Sequence, residues 1–166
     1  MPAFSHLNWD DPDVWAIVVG RGIATVEESF LAVCDAWLER NGYGTVEFSF
    51  SKGISSAVEK LGEHFRWEQQ FGYRLEANSR NLDALRDGFE FEQCDVVLKL
   101  PHYERAWFED ESWARGFLAI VSEHSLHQLA LGHRFFALLP VSAGESRIVG
   151  QTIESLCVPF PFRFRG

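Results

Sequence analysis

Positive charge is scarce in this chain of 166 residues: 15 Lys plus Arg stand against 24 Asp plus Glu, a formal net charge of −9. A surface of that sign repels phosphate backbones, which disfavours direct nucleic-acid binding and leaves attraction to a basic protein as the complementary expectation. Plain solubility is served by the same balance, so charge alone does not choose. Cysteine is also sparse. Cys34, Cys94 and Cys157 are widely spaced with no CxxC, which suits reduced cytosolic thiols better than a disulfide framework. No basic segment followed by an apolar run opens the chain, and no apolar stretch approaches a membrane span. The expectation is a cytoplasmic protein with no membrane partner. No stretch is rich enough in Gly, Ser or Pro to act as a linker, so 1–166 reads as a single domain. Apolar residues at 46% and aromatics at 14% are ample for its core.

Strand and helix signals alternate along the chain. Val14 to Val19 reads as a buried strand, closed by Gly20 and Gly22. Thr25-x-x-Glu28 offers a capping box, and Val26, Phe30, Val33, Trp37 and Leu38 follow at helical spacing up to Gly42. Val46, Phe48 and Phe50 alternate with Glu47 and Ser49, a half-buried strand. Ser56-x-x-Glu59 then caps a helix carrying Val58, Leu61 and Phe65. Trp67 to Arg80 reads as an irregular loop, Asn81 to Phe89 as a short helix and Asp95 to Leu100 as a strand ended by Pro101. Carboxylates at Glu109, Asp110 and Glu111 open a helix with a stripe of Trp113, Phe117, Ile120 and Val121. Gly132 ends it, and Phe135 to Leu139 is the last strand before Pro140. The fold class is therefore α/β, a small mostly parallel sheet of three to four strands packed with helices, whose crossovers should be right-handed. The tail 142–166 either wraps over the domain or supplies an edge strand.

The most informative segment is Asn81-Leu82-Asp83-Ala84-Leu85-Arg86-Asp87-Gly88-Phe89. At about 100° per residue, Leu82, Leu85 and Phe89 fall together, while Asp83 and Asp87 project from a different face. Two like charges four apart weaken an isolated helix, and Asp87 lies late in it, where the macrodipole disfavours an anion. Nothing local explains the pair. A solvated acidic face is the common fate of such residues; a cationic partner is the alternative.

Asn-Leu-Asp-Ala-Leu-x-Asp, at 81–87, resembles the signature of the barstar family, intracellular inhibitors of secreted bacterial ribonucleases. The surrounding order of strands and helices is similar over about 45–141. The strand-helix unit 14–42 and the extension 142–166 are additions, the former expected to add a strand and a helix to the usual three-stranded sheet. The resemblance implies a non-enzymatic protein whose partner is a basic ribonuclease or nuclease toxin, bound without cofactor or metal. In that family the motif helix enters the active site, and its carboxylates occupy the positions of RNA phosphates. Carried over, Asp83 and Asp87 are the acidic contacts, Asp87 the deeper one, with Leu82 at the rim and Asn81 at the helix start. The chain departs from the pattern at Arg86, a tryptophan in the best-known member, and in the preceding loop, tyrosine-rich there and 76–80 here. A further carboxylate of that member falls near His127. Arg86, Glu76 and Glu90 are the candidates for surrounding contacts and partner selection.

Other constellations carry less. His124 and His127 share a helix without an HExxH pattern and read as partly exposed helix histidines. Gly20 and Gly22 after a strand resemble a dinucleotide loop, but position 25 is Thr rather than the third glycine. Cys34 reads as a small core residue, and no GxSxG elbow exists. Two rival readings stay open: a barstar-like module retargeted to a non-ribonuclease partner, and a small hydrolase using His or carboxylate groups.

Overall fold

The computed structural model describes residues 12–76, 80–89 and 95–142, and the backbone of 158–159. The architecture is α/β. One turn of helix, Pro12–Val14 (α1), runs into a π-helical segment, Trp15–Val19, and a turn leads to strand Ile23–Glu27 (β1). A short 3₁₀ turn precedes helix Leu31–Arg40 (α2), and strand Gly44–Glu47 (β2) follows. Helices Ile54–His64 (α3), Trp67–Phe71 (α4) and Leu82–Phe89 (α5) come next, then strand Val96–Lys99 (β3). Helices Tyr103–Glu109 (α6) and Glu111–Leu131 (α7) lead to strand Phe135–Val141 (β4).

The strands lie in the order β2-β3-β4-β1, all parallel, and two residues of the tail, Val158–Pro159 (β5), pair beside β1. Successive side chains of each strand point to opposite faces, and they sort into two cores. One face of β3 and β4, through Val96, Leu98, Phe135, Ala137 and Leu139, packs with α3, α5, α6 and α7. The other, through Val97, Phe136 and Leu138, packs with Cys34 and Leu38 of α2 and with Ala16 and Ile17. The path from β1 to β2 crosses the sheet in one direction, and the path β2 to β3 to β4 returns in the other. Right-handed crossovers require connections of opposite direction to lie on opposite faces, which is the partition observed.

Several sequence expectations are corrected. The run Val14 to Val19 is helical, with Val14, Ala16 and Ile17 buried while Trp15 and Val19, four apart, face outward. A short apolar run suits a buried helix as well as a strand, and periodicity alone cannot separate them. The strand is Ile23–Glu27 instead, so Thr25 lies in the sheet and caps nothing. Gly20 and Gly22 thus follow a helix and precede a strand, the reverse of a dinucleotide loop. A Cβ on Gly22 would meet Ser125 Cβ at 2.3 Å, so close packing on α7 accounts for that glycine. Ser56 caps no helix: α3 begins two residues earlier, and Glu109 Oε2 accepts from the Ile54 N–H at 3.0 Å. The segment from Trp67 is helical through Phe71, and α6 was not foreseen. Pro140 stays within β4, because one missing donor does not end a strand paired along five residues with β1. The edge-strand expectation for the tail holds at β5; the rest of the tail lies outside the described residues.

The N-terminal unit is tied to the sheet by a buried polar cluster. Asp13 is 1% exposed, and its Oδ2 accepts from the Tyr43 hydroxyl at 2.5 Å and from Arg134 Nη1. Burial, and then the charge of Asp13, push the Tyr43 hydroxyl far above its ordinary range, so it stays a donor. Cys34 is buried, and burial pushes its thiol up to about 12, with Asp35 adding to the shift. It is a core residue rather than a nucleophile. Asp13→Ala removes the acceptor of both Tyr43 and Arg134. We expect it to lower unfolding free energy by about 1–3 kcal/mol, measured by urea denaturation.

Candidate functional site

The segment singled out in the sequence is helix α5, whose start is set by Asn81. Asn81 Oδ1 accepts from the backbone N–H groups of Asp83 at 3.0 Å and Ala84 at 3.2 Å, satisfying two donors of the first turn. Eight residues would barely hold a helix in water, so packing must stabilise this one. Ala84, Leu85, Gly88 and Phe89 are buried. The Phe89 ring meets Phe65 at 5.1 Å, Phe117 at 6.0 Å and Phe135 at 6.0 Å between centroids. Two glycines set how closely α5 sits. A Cβ on Gly116 of α7 would lie 2.3 Å from Leu82 Cδ1, and one on Gly88 would lie 2.6 Å from Trp67 Cζ3.

The opposite face is polar. The Asp83 side chain is 92% exposed, and Asp87 is exposed with no hydrogen bond or ion pair among the described residues. Arg86, between them on the wheel and α7, reaches Asp83 at 3.7 Å and Glu123 of α7 at 3.1 Å. All three are well exposed, so each contact contributes only a few tenths of a kcal/mol. The two aspartates therefore remain available to an outside cation.

The loop entering α5 is anchored by Arg80, which bridges Glu109 at 2.8 Å and Asp110 at 2.5 Å. Glu109 caps α3 with its other oxygen, and Asp110 N-caps α7 by accepting from the Trp113 N–H at 3.0 Å. One acidic junction thus joins the starts of α3, α5 and α7. The Trp113 N–H, and then Arg80, hold the Asp110 carboxyl below its ordinary value.

Of the expected site residues, Asp83, Arg86 and Asp87 share one exposed face. Leu82 is half-buried at its margin against Gly116. Asn81 acts within the fold as the cap, while Glu76 lies apart, on the rim of a cleft between α3 and α4. Glu90 lies outside the described residues, as do Cys94 and Cys157. Sequence reasoning missed Glu123. It stands four residues before His127 on the same exposed face of α7, and its contact with Arg86 spans 37 positions that no local pattern links. His124 is buried rather than partly exposed, edge-on to Phe135 at 4.6 Å, whereas His127 faces solvent. Among the described residues no three His, Cys, Asp or Glu side chains are grouped to hold a metal, and no helix is long and apolar enough to cross a membrane.

Comparisons of the chain with known protein families, curated proteins and solved structures gave no match.

Two outcomes follow from this geometry. Gly88→Val drives a branched side chain into the Trp67 and Phe65 rings, and overpacking of that kind costs about 1–3 kcal/mol. The measurement is the urea midpoint, with circular dichroism following loss of helix. For Asp110, whose folded pKa is depressed, the stabilisation is complete above the ordinary carboxylate range and is lost as pH falls through the lower, folded value. Asp110→Asn should therefore flatten the acid limb of a stability-against-pH profile and leave its neutral-to-alkaline limb parallel to that of the wild type.

Proposed function

We propose that this protein is a stoichiometric inhibitor of a basic ribonuclease, whose active site it blocks with the exposed face of α5. The observation that carries the reading is the pairing of rigidity with unspent charge. α5 is capped by Asn81, docked by Leu85 and Phe89, and still leaves Asp83 and Asp87 turned to solvent. A ribonuclease must hold arginine, lysine and histidine ready for phosphate. Carboxylates fixed on a helix satisfy those groups with little further loss of conformational entropy. The barstar-like motif at 81–87 supports the same reading, as does the order of strands and helices from β2 to β4. The net charge of −9 favours rapid encounter with a basic partner.

Arg86 gives the surface its own selectivity. A guanidinium held between Asp83 and Glu123 requires an acidic or neutral group opposite it, and disfavours a ribonuclease that places a cation there. The partner is in this reading a secreted ribonuclease or a nuclease toxin from the same cell, with this chain as the immunity protein in the cytoplasm.

The test is inhibition of RNA cleavage by basic ribonucleases, any encoded beside this chain included. Asp87→Ala should weaken the complex by about 2–5 kcal/mol, because it strands buried cations on the enzyme, while the urea midpoint stays near that of the wild type. Undiminished inhibition by the double variant Asp83→Ala, Asp87→Ala would remove α5 as the inhibitory surface.

A further inference from the structure

Strand β1 alternates between the two cores, Ile23 on the side of α7, Ala24 and Val26 on the side of α2. Its outer flank is paired with β5, parallel and in the register Ala24↔Val158 and Thr25↔Pro159. Residues paired across neighbouring strands share a face of the sheet, and successive residues change face. Val158 therefore belongs to the face that α2 covers, and Pro159 to the other. Beyond β1 the chain passes through Glu27, Glu28 and Ser29 into α2, where apolar surface meets solvent. Phe30 is 45% exposed and Val33, three residues on, 44%, while Leu31 and Cys34 face the core.

The sequence after Pro159 carries the complementary chemistry. Phe160, Phe162 and Phe164 share the parity of Val158, Arg163 and Arg165 share that of Pro159, and 160–166 contain no acidic residue. A parallel strand runs the same way as its neighbour, so the chain leaves β5 toward the end of β1. Glu27 and Glu28 stand exposed there, Glu27 accepting from the Ser29 hydroxyl at a long 3.5 Å. Extended at about 3.3 Å per residue, 160–166 would span roughly 23 Å, against roughly 15 Å for the whole of α2. Direction, parity, charge and reach all lead to the start of α2.

We propose that Phe30 and Val33, edged by Glu27 and Glu28, form a docking surface whose occupant is the chain's own segment 160–166. Phe160 would extend the pairing beside Val26, its N–H reaching the Thr25 carbonyl, because Pro159 has no N–H to give. Phe162 and Phe164 would follow on the same face and cover Phe30 and Val33. Arg163, on the other face and diagonal to Glu27, would come within reach of that carboxylate. Pro159 and Pro161, two apart, would both turn a donorless nitrogen outward and close this edge of the sheet to a further strand. The surface lies across the sheet from α5, so the inference is independent of what α5 binds.

The experiment is tryptic cleavage of the full chain after Arg163 and Arg165, followed by mass spectrometry and compared with a capped peptide of residues 158–166. A docked segment is cut only while it is open, so the chain should be cleaved about tenfold more slowly than the peptide. Phe30→Ser with Val33→Ser, both at exposed positions, should bring the rate within about a factor of two of the peptide. Glu27→Gln with Glu28→Gln should raise it about threefold and reads the same contact should the serine pair loosen the fold. Cleavage after the exposed Lys60 of α3 should stay unchanged, which separates release of the tail from general unfolding. Equal rates for chain and peptide, or protection that neither pair of substitutions reduces, overturn the proposal. Protection that fades on dilution, with a dimer in light scattering, gives the surface to the tail of a second copy and overturns it as well.

Discussion

The seating of α5 on an aromatic floor is the constraint on which the rest of this molecule depends. Phe89 is ringed by Phe65, Phe117 and Phe135, and Gly88 admits the edge of Trp67 where any side chain would collide. Eight residues cannot hold a helix in water unaided, so their exposed face is ordered only because their buried face is. Side-chain order is what converts two aspartates into a site. On a fraying segment, the entropy lost on fixing them would offset much of any attraction to a partner.

The acidic junction at the starts of α3, α5 and α7 serves the same end by other means. Glu109 accepts from the Ile54 N–H and from Arg80, and Asp110 caps α7 while also holding Arg80. Each contact is modest, since the groups are partly exposed. Together they fix the chain as it enters α5, where neither strand nor helix does so. Carboxylates in this protein thus divide into those spent on its own helix termini, such as Glu109 and Asp110, and those left to solvent, such as Asp83 and Asp87.

Trp67 supports the motif helix, the Cζ3–Cε3 edge of its indole lying against Gly88. The helical residues Ala16 and Ile17 and helix α2 pack on the opposite face of the sheet, where Asp13, Tyr43 and Arg134 are joined.

The sequence by itself determined the class of the fold and the position of the motif helix. The alternation Val46, Phe48, Phe50 and the stripe Trp113, Phe117, Ile120, Val121 are local periodicities, and local periodicity is what a linear pattern can carry. It also placed Asp83 and Asp87 on one face, since a helix repeats every 3.6 residues wherever it sits. The tertiary structure decided what no window of residues contains. The run Val14 to Val19 is helical because Ala16 and Ile17 find a core shared with Cys34 and Leu38. Ile54 starts α3 because Glu109 arrives from 55 positions away, and Arg86 is held by a glutamate on another helix. These contacts join residues distant in the chain, and their free energy exists only once the sheet has brought the helices together.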